Sequence, residues 1–71
     1  MWIIDGNATI FEKSRVEAAL IEEVELFVKY NKGKPRHWFH VVGLDDDLSP
    51  VESAVVKVVK GEIGDIVWMS V

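Results

Sequence analysis

The chain has 71 residues, of which 49% are hydrophobic and 28% charged, with a net charge of −4 and no cysteine. That length allows one domain, residues 1–71. The missing cysteines exclude disulfides and thiolate metal sites, and the acidic balance argues against nucleic-acid binding by bulk charge, though not against a local basic patch.

A domain of about 60 residues buries only about 60% of the surface its unfolded chain exposes. A chain this apolar with so little interior is therefore expected to set apolar surface against a partner. A homo-oligomer follows as the expectation, a dimer foremost. No apolar run reaches membrane-spanning length. The N-terminal Met-Trp-Ile-Ile-Asp-Gly lacks a basic region and a long apolar core, so it does not read as a signal peptide. A cytoplasmic protein without membrane contact is the expectation.

Taken in order, Trp2–Ile4 are strand-favouring residues. Asp5-Gly6-Asn7 follows as a hairpin signal, because these residues tolerate positive φ. Ala8–Glu12 then reads as the returning strand. The run Ile3-Ile4-Asp5-Gly6-Asn7 resembles the opening strand of PIN-like nucleases, in which an apolar strand ends in a metal-binding Asp followed by Asn. The chain is shorter than that fold requires, and no activity is carried over.

Ser14–Asn31 reads as an amphipathic helix. Ser14 and Glu17 have the spacing of a capping box. At about 100° per residue, Val16, Leu20, Val24 and Phe27 share one face, with Ile21 and Val28 at its edge. Glu25 and Lys29 form an i,i+4 pair in the favourable order. Ala19, Leu26 and Tyr30 make a second, thinner stripe, surplus to a two-layer domain of this size and so expected to meet the other helix or a second subunit. Asn31-Lys32-Gly33 supplies the stop.

Lys34-Pro35 reads as loop and Arg36–Leu44 as a strand, followed by the acidic connection Asp45-Asp46-Asp47. Ser49-Pro50-Val51-Glu52 has the form of a second capping box, with Pro at the first helical position. It predicts a helix to about Lys60, ended by Gly61. The valines weaken helical propensity, so a strand over Val55–Val59 is the alternative. Asp65–Val71 reads as the last strand. The expected architecture is α+β, or small α/β: a two-layer sandwich in the order ββαβαβ, with about four strands, two helices and a right-handed parallel crossover in the last βαβ unit.

Neither Trp38–Leu44 nor Ile66–Val71 has a clean polar face. A sheet apolar on both sides must be covered on both sides. Both helices on one face and a second protomer on the other would satisfy this, and Ala19, Leu26, Tyr30, Trp38 and Trp68 are the expected interface residues. Lys29, Lys32, Lys34, Arg36 and His37 cluster beside Trp38, a basic and aromatic combination that can hold single-stranded nucleic acid. Asp45–Asp47 can be read as a divalent-cation loop of a metal-dependent hydrolase, but consecutive aspartates diverge and no ligand spacing accompanies them. His37 and His40 point to opposite faces of a strand. No nucleophile motif or phosphate-binding glycine loop is present. The preferred expectation is a non-enzymatic protein without cofactors that acts by self-association and by binding another macromolecule. A nucleic-acid-binding module and a hydrolase stand behind it.

Overall fold

The structure, a computed structural model, describes residues 1–5, 8–31 and 36–71. The first hairpin forms as expected. Strands β1 (Trp2–Ile4) and β2 (Ala8–Ile10) pair antiparallel, Trp2 opposite Ile10 and Ile4 opposite Ala8. Asp5 at their junction has φ 45°, a conformation that Asp tolerates better than most residues. The returning strand stops at Ile10, two residues short of the expected Glu12.

The predicted capping box does not form. A 3₁₀ turn over Lys13–Arg15 leads into helix α1 (Val16–Tyr30), whose cap residue, Arg15, makes no side-chain capping bond. Ser14 lies inside that turn. The helix buries Val16, Leu20 and Val24, the three residues of the expected face nearest its start. Phe27 is half-buried and meets Phe39 edge-on, ring centroids 6.3 Å apart. At the far end the Asn31 N–H donates to the Phe27 carbonyl at 2.9 Å.

Beyond the helix the expected architecture is overturned. Among the described residues there is one helix, extended by its 3₁₀ turn, and there are six strands, not four strands and two helices in the order ββαβαβ. Strand β3 (Trp38–Leu44) leads through the Asp45–Ser49 loop into the longest strand, β4 (Pro50–Val59), where a second helix was expected. Strands β5 (Glu62–Ile63) and β6 (Met69–Ser70) follow. Every ladder is antiparallel, so the parallel crossover is absent among the described residues. The sheet order is β2-β1-β3-β4-β5, with β6 also on β4.

The reason lies in the residues of β4. Val51, Ala54, Val55, Val58 and Val59 fit one arc of a helix, but Ala54, Val56 and Val58 also alternate with Val55, Lys57 and Val59. The three alternating residues are the buried ones. Valine loses side-chain freedom in a helix and packs well on a pleated sheet. Pro50 stands at the first position of the strand, where it removes no ladder bond. Lys60 and Gly61, with φ 52° and 77°, make the two-residue turn that closes the β4–β5 hairpin; Gly61 is thus a turn residue and caps no helix.

Cross-strand partners share a face, so the pairing register assigns every side chain. One face carries Ile4, Ile10, Phe39, Val41, Ala54, Val56 and Val58, which with the helix residues form the core. The edge beyond β4 is irregular. Between the paired Ser53–Met69 and Val58–Ile63 lie 54–57 on one side and 64–68 on the other, one residue more. That extra length lets 64–68 leave the ladder and tuck Ile66 and Trp68 against the core. The expected strand over Asp65–Val71 is thereby reduced to Met69–Ser70.

Candidate functional site

The helix covers one face of the sheet, and no described element covers the other. On this open face a line across five strands runs Thr9, Ile3, Val42, Ser53, Met69. Beside it lie His40 with Val55, and then Trp38 with Lys57. Val55 is 57% exposed, Trp38 53% and Met69 68%. The Lys57 ammonium stands 6.0 Å from the centre of the Trp38 ring. Val59 alternates onto the same face and is exposed, as is Val51 at the register shift opposite Gly43 and Leu44. The molecule measures 39 × 19 × 18 Å with a radius of gyration of 12.1 Å, against roughly 11 Å for a compact domain of this length. It exposes 5210 Å², whereas a folded monomer of 8.0 kDa is expected to expose roughly 4,450 Å². The surplus, roughly 750 Å², is close to the ~800 Å² that each partner gives to a standard protein interface.

The expected interface residues separate. Trp38 stands on the open face. Ala19 and Trp68 are half-buried and pack against the core. Leu26 and Tyr30 are exposed on the helix and border a small groove with Phe27 and Arg36. Val51, Val55, Val59 and Met69 were not singled out in the sequence. The first three were hidden because a helical reading puts them in one buried arc, where the strand puts them in solvent.

The basic cluster also separates. Lys32 and Lys34 lie outside the described residues. The Lys29 ammonium sits 5.4 Å from the Tyr30 ring centre. His37 precedes β3, and its carbonyl accepts from Val58 N–H at 2.7 Å. Arg36 is committed internally. Its guanidinium carbon stacks 4.2 Å from the Phe39 ring centre and 5.8 Å from that of Phe27, its Nε donates to the Trp38 carbonyl at 2.8 Å, and it forms an ion pair with Asp5. Asp5 also accepts from His40 N–H through Oδ1 at 3.1 Å. The carboxylate that resembles a metal ligand in the sequence is therefore occupied by an arginine and a backbone amide.

The acidic loop joins two strands of a hairpin, not a strand to a helix. Asp45 Oδ1 accepts from the backbone N–H groups of Asp47 and Ser49, both at 2.9 Å, and Leu48 takes φ 63° to complete the turn. Asp45 thus replaces a backbone acceptor. Among the described residues no group of three or more His, Asp or Glu side chains is placed to hold a metal ion, and no helix is long and apolar enough to cross a membrane.

One polar network crosses the helix side. Trp2 lies over Gly43 and donates its indole N–H to Glu52 Oε1 at 2.9 Å. Lys13 binds the other oxygen at 3.0 Å and stands 4.7 Å from the Trp68 ring centre. The Trp2 hydrogen bond first, and the Lys13 hydrogen bond second, hold the Glu52 carboxyl below its ordinary value of 4.5. The arrangement fastens the 3₁₀ turn and the 64–68 segment to the sheet. It presents no nucleophile.

No family model matches the chain, nor does any curated protein or solved structure.

Proposed function

We propose that this protein is a non-enzymatic interaction module that works by self-association through the open face of its sheet and, as an assembly, by binding another macromolecule. The observation that carries this reading is the apolar face itself: Trp38, Val55, Val59 and Met69 in solvent on one side of a sheet whose other side is covered by a helix. Two such faces stacked about 10 Å apart would bury both, with the surplus surface matching one side of a standard interface. A two-fold axis lying between the stacked faces sets the same patch against itself, so a second copy is a sufficient partner for it. The internal commitment of Arg36 argues against the segment 29–38 as a nucleic-acid contact.

Sedimentation equilibrium tests the reading. Val55→Lys places a charge at the centre of the open face, where the folded monomer tolerates it because Val55 is already more than half exposed. The wild type is expected to associate and the variant to lose that contact while keeping its circular dichroism spectrum. Equal masses for the two at matched concentrations would sink the open-face reading.

A further inference from the structure

The edge strand β2 and the first turns of α1 form a second surface, which shares Thr9 with the open face. Met1 and Leu44 exchange N–H···O bonds at 2.9 and 2.7 Å, and Asp5 N–H donates to the His40 carbonyl. Residues 1, 3 and 5 therefore direct their backbone groups toward β3. In an antiparallel ladder the alternate residues, Trp2 and Ile4, direct theirs toward Ile10 and Ala8 of β2. Thr9 lies between those two, so its N–H and C=O point outward from the last strand of the sheet. Beside this edge is a groove of about 630 Å³, walled by Thr9, Phe11, Arg15, Ala18, Ala19 and Glu22. Phe11 is 77% exposed. An unpaired edge next to exposed apolar surface is a template for strand addition.

The helix wall of the groove is complementary to its own reverse. Arg15, Ala18, Ala19 and Glu22 fall at i, i+3, i+4 and i+7, one face of the helix, with opposite charges at the two ends and the smallest side chains in the middle. We infer that a second copy of this chain docks here about a two-fold axis, pairing β2 with β2 antiparallel about Thr9 and crossing the two helices at Ala18 and Ala19. Arg15 of each copy then faces Glu22 of the other. Thr9, Ala18 and Ala19 wall the same groove, so one axis serves both the strands and the helices. Arg15 already bonds Glu12 at 3.1 Å, but its side chain remains 78% exposed, which leaves guanidinium donors for a second carboxylate. Together with the open face, this contact would give two isologous interfaces, which close into a dihedral tetramer where their two-fold axes intersect at right angles.

The test uses charge exchange in the Val55→Lys background, where only the edge contact remains. That protein is expected to sediment at twice the 8.0 kDa chain mass. Adding R15E or E22R makes both ends of the helix face alike in charge and should weaken the association by about tenfold. A one-to-one mixture of the two charge variants restores both attractive pairs and should regain the dimer, as should the exchange of both charges within one chain. Hydrogen exchange at the Thr9 amide should slow as protein concentration rises. A monomer at millimolar concentration in the Val55→Lys background, or a mixture no better than its components, overturns the inference. So does Thr9 protection that arises only on adding a foreign extended peptide, which would give the edge to a different occupant. If Val55→Lys fails to change the wild-type mass, the open-face reading falls, and the charge exchange is read in the wild-type background.

Discussion

Gly43→Ala should destabilise the protein and remove part of its sensitivity to acid. Gly43 is the last residue but one of β3, opposite Glu52 and Trp2. A Cβ built there would lie 2.8 Å from Glu52 Cγ, 2.8 Å from Trp2 Nε1 and 3.1 Å from Trp2 Cδ1. These distances are well inside van der Waals contact, so the indole and the carboxylate stem must both move, and their 2.9 Å hydrogen bond cannot survive unchanged. Overpacking of this kind costs about 1–3 kcal/mol. A domain of 71 residues has roughly 4–11 kcal/mol in total, and each kcal/mol shifts the melting temperature by roughly 4–8 °C at this size. The pH dependence carries the sharper information. Glu52 has a lowered folded-state value, the Trp2 hydrogen bond being the first cause. Its contribution is therefore fully present above the unfolded value, 4.5, and is lost as pH falls through the lower folded value. Displacing Trp2 removes part of that contribution at neutral pH, but nothing of it at a pH where Glu52 is protonated in both states. The difference in stability between wild type and Gly43→Ala should thus be larger at pH 7 than at pH 3. Urea denaturation followed by tryptophan fluorescence at the two pH values measures it. A penalty of the same size at both, or none at either, would refute the account of the Trp2–Glu52 bond.

Arg36→Ala should cost about 1–3 kcal/mol, because Asp5 Oδ2 is buried and, among the described residues, the Arg36 guanidinium is its partner, so removing the guanidinium leaves it uncompensated; Arg36→Lys should restore only part of this, since an ammonium does not stack on Phe39 as a planar guanidinium does, and chemical denaturation of the two variants ranks them. Asp45→Ala frees the amides of Asp47 and Ser49 and should cost about 1–2 kcal/mol without altering the sedimentation behaviour, whereas a change in oligomeric mass would show that the loop belongs to an interface. Leu20→Ala removes a fully buried side chain from the helix–sheet contact and should cost about 2–5 kcal/mol, against a few tenths for Leu26→Ala on the exposed side of the same helix; comparable losses in thermal unfolding would contradict the assignment of the two helix faces.

The parts of the fold that were legible in the sequence are those where two local signals agree. Trp2–Ile4, Asp5 and Ala8–Ile10 combine strand-favouring residues with turn chemistry, and they form a hairpin. Val16, Leu20 and Val24 repeat at helical spacing without a competing period of two, and they are buried on one helix. The segment after Pro50 was misread because its local signals conflict. Ser49-Pro50-Val51-Glu52 has the residues of a helix start, yet Glu52 spends its carboxylate on Trp2 and Lys13, residues 50 and 39 positions away. Bonds of that range leave no trace in a local pattern. The alternation of Ala54, Val56 and Val58 was present beside the helical arc, and side-chain crowding of valine favours the strand.

The misreading of one element also displaced the site. With two helices expected on one face and a second protomer on the other, the surplus apolar residues fall on the helix stripe Ala19, Leu26 and Tyr30 and on Trp38 and Trp68. With one helix, the surplus moves to the sheet: Val51, Val55 and Val59 change from buried to exposed, and Trp38 gains neighbours across β4. The 49% hydrophobic content is high for so small an interior whichever way that segment folds, and the chain's total surface of 5210 Å² exceeds the roughly 4,450 Å² expected at its size. Composition therefore bears on how much apolar surface is left over, while the period of a single segment decides where it lies. An open sheet face and an unpaired sheet edge are different consequences of the same topology. A single helix can roof one face but cannot roof the other, and among the described residues β2 pairs with β1 alone, so the Thr9 backbone faces outward at the edge. Among the described residues the open face and the exposed edge are thus properties of the strand order, and on the proposed reading substitutions at Val55 and at Arg15 or Glu22 are expected to alter association without touching the core.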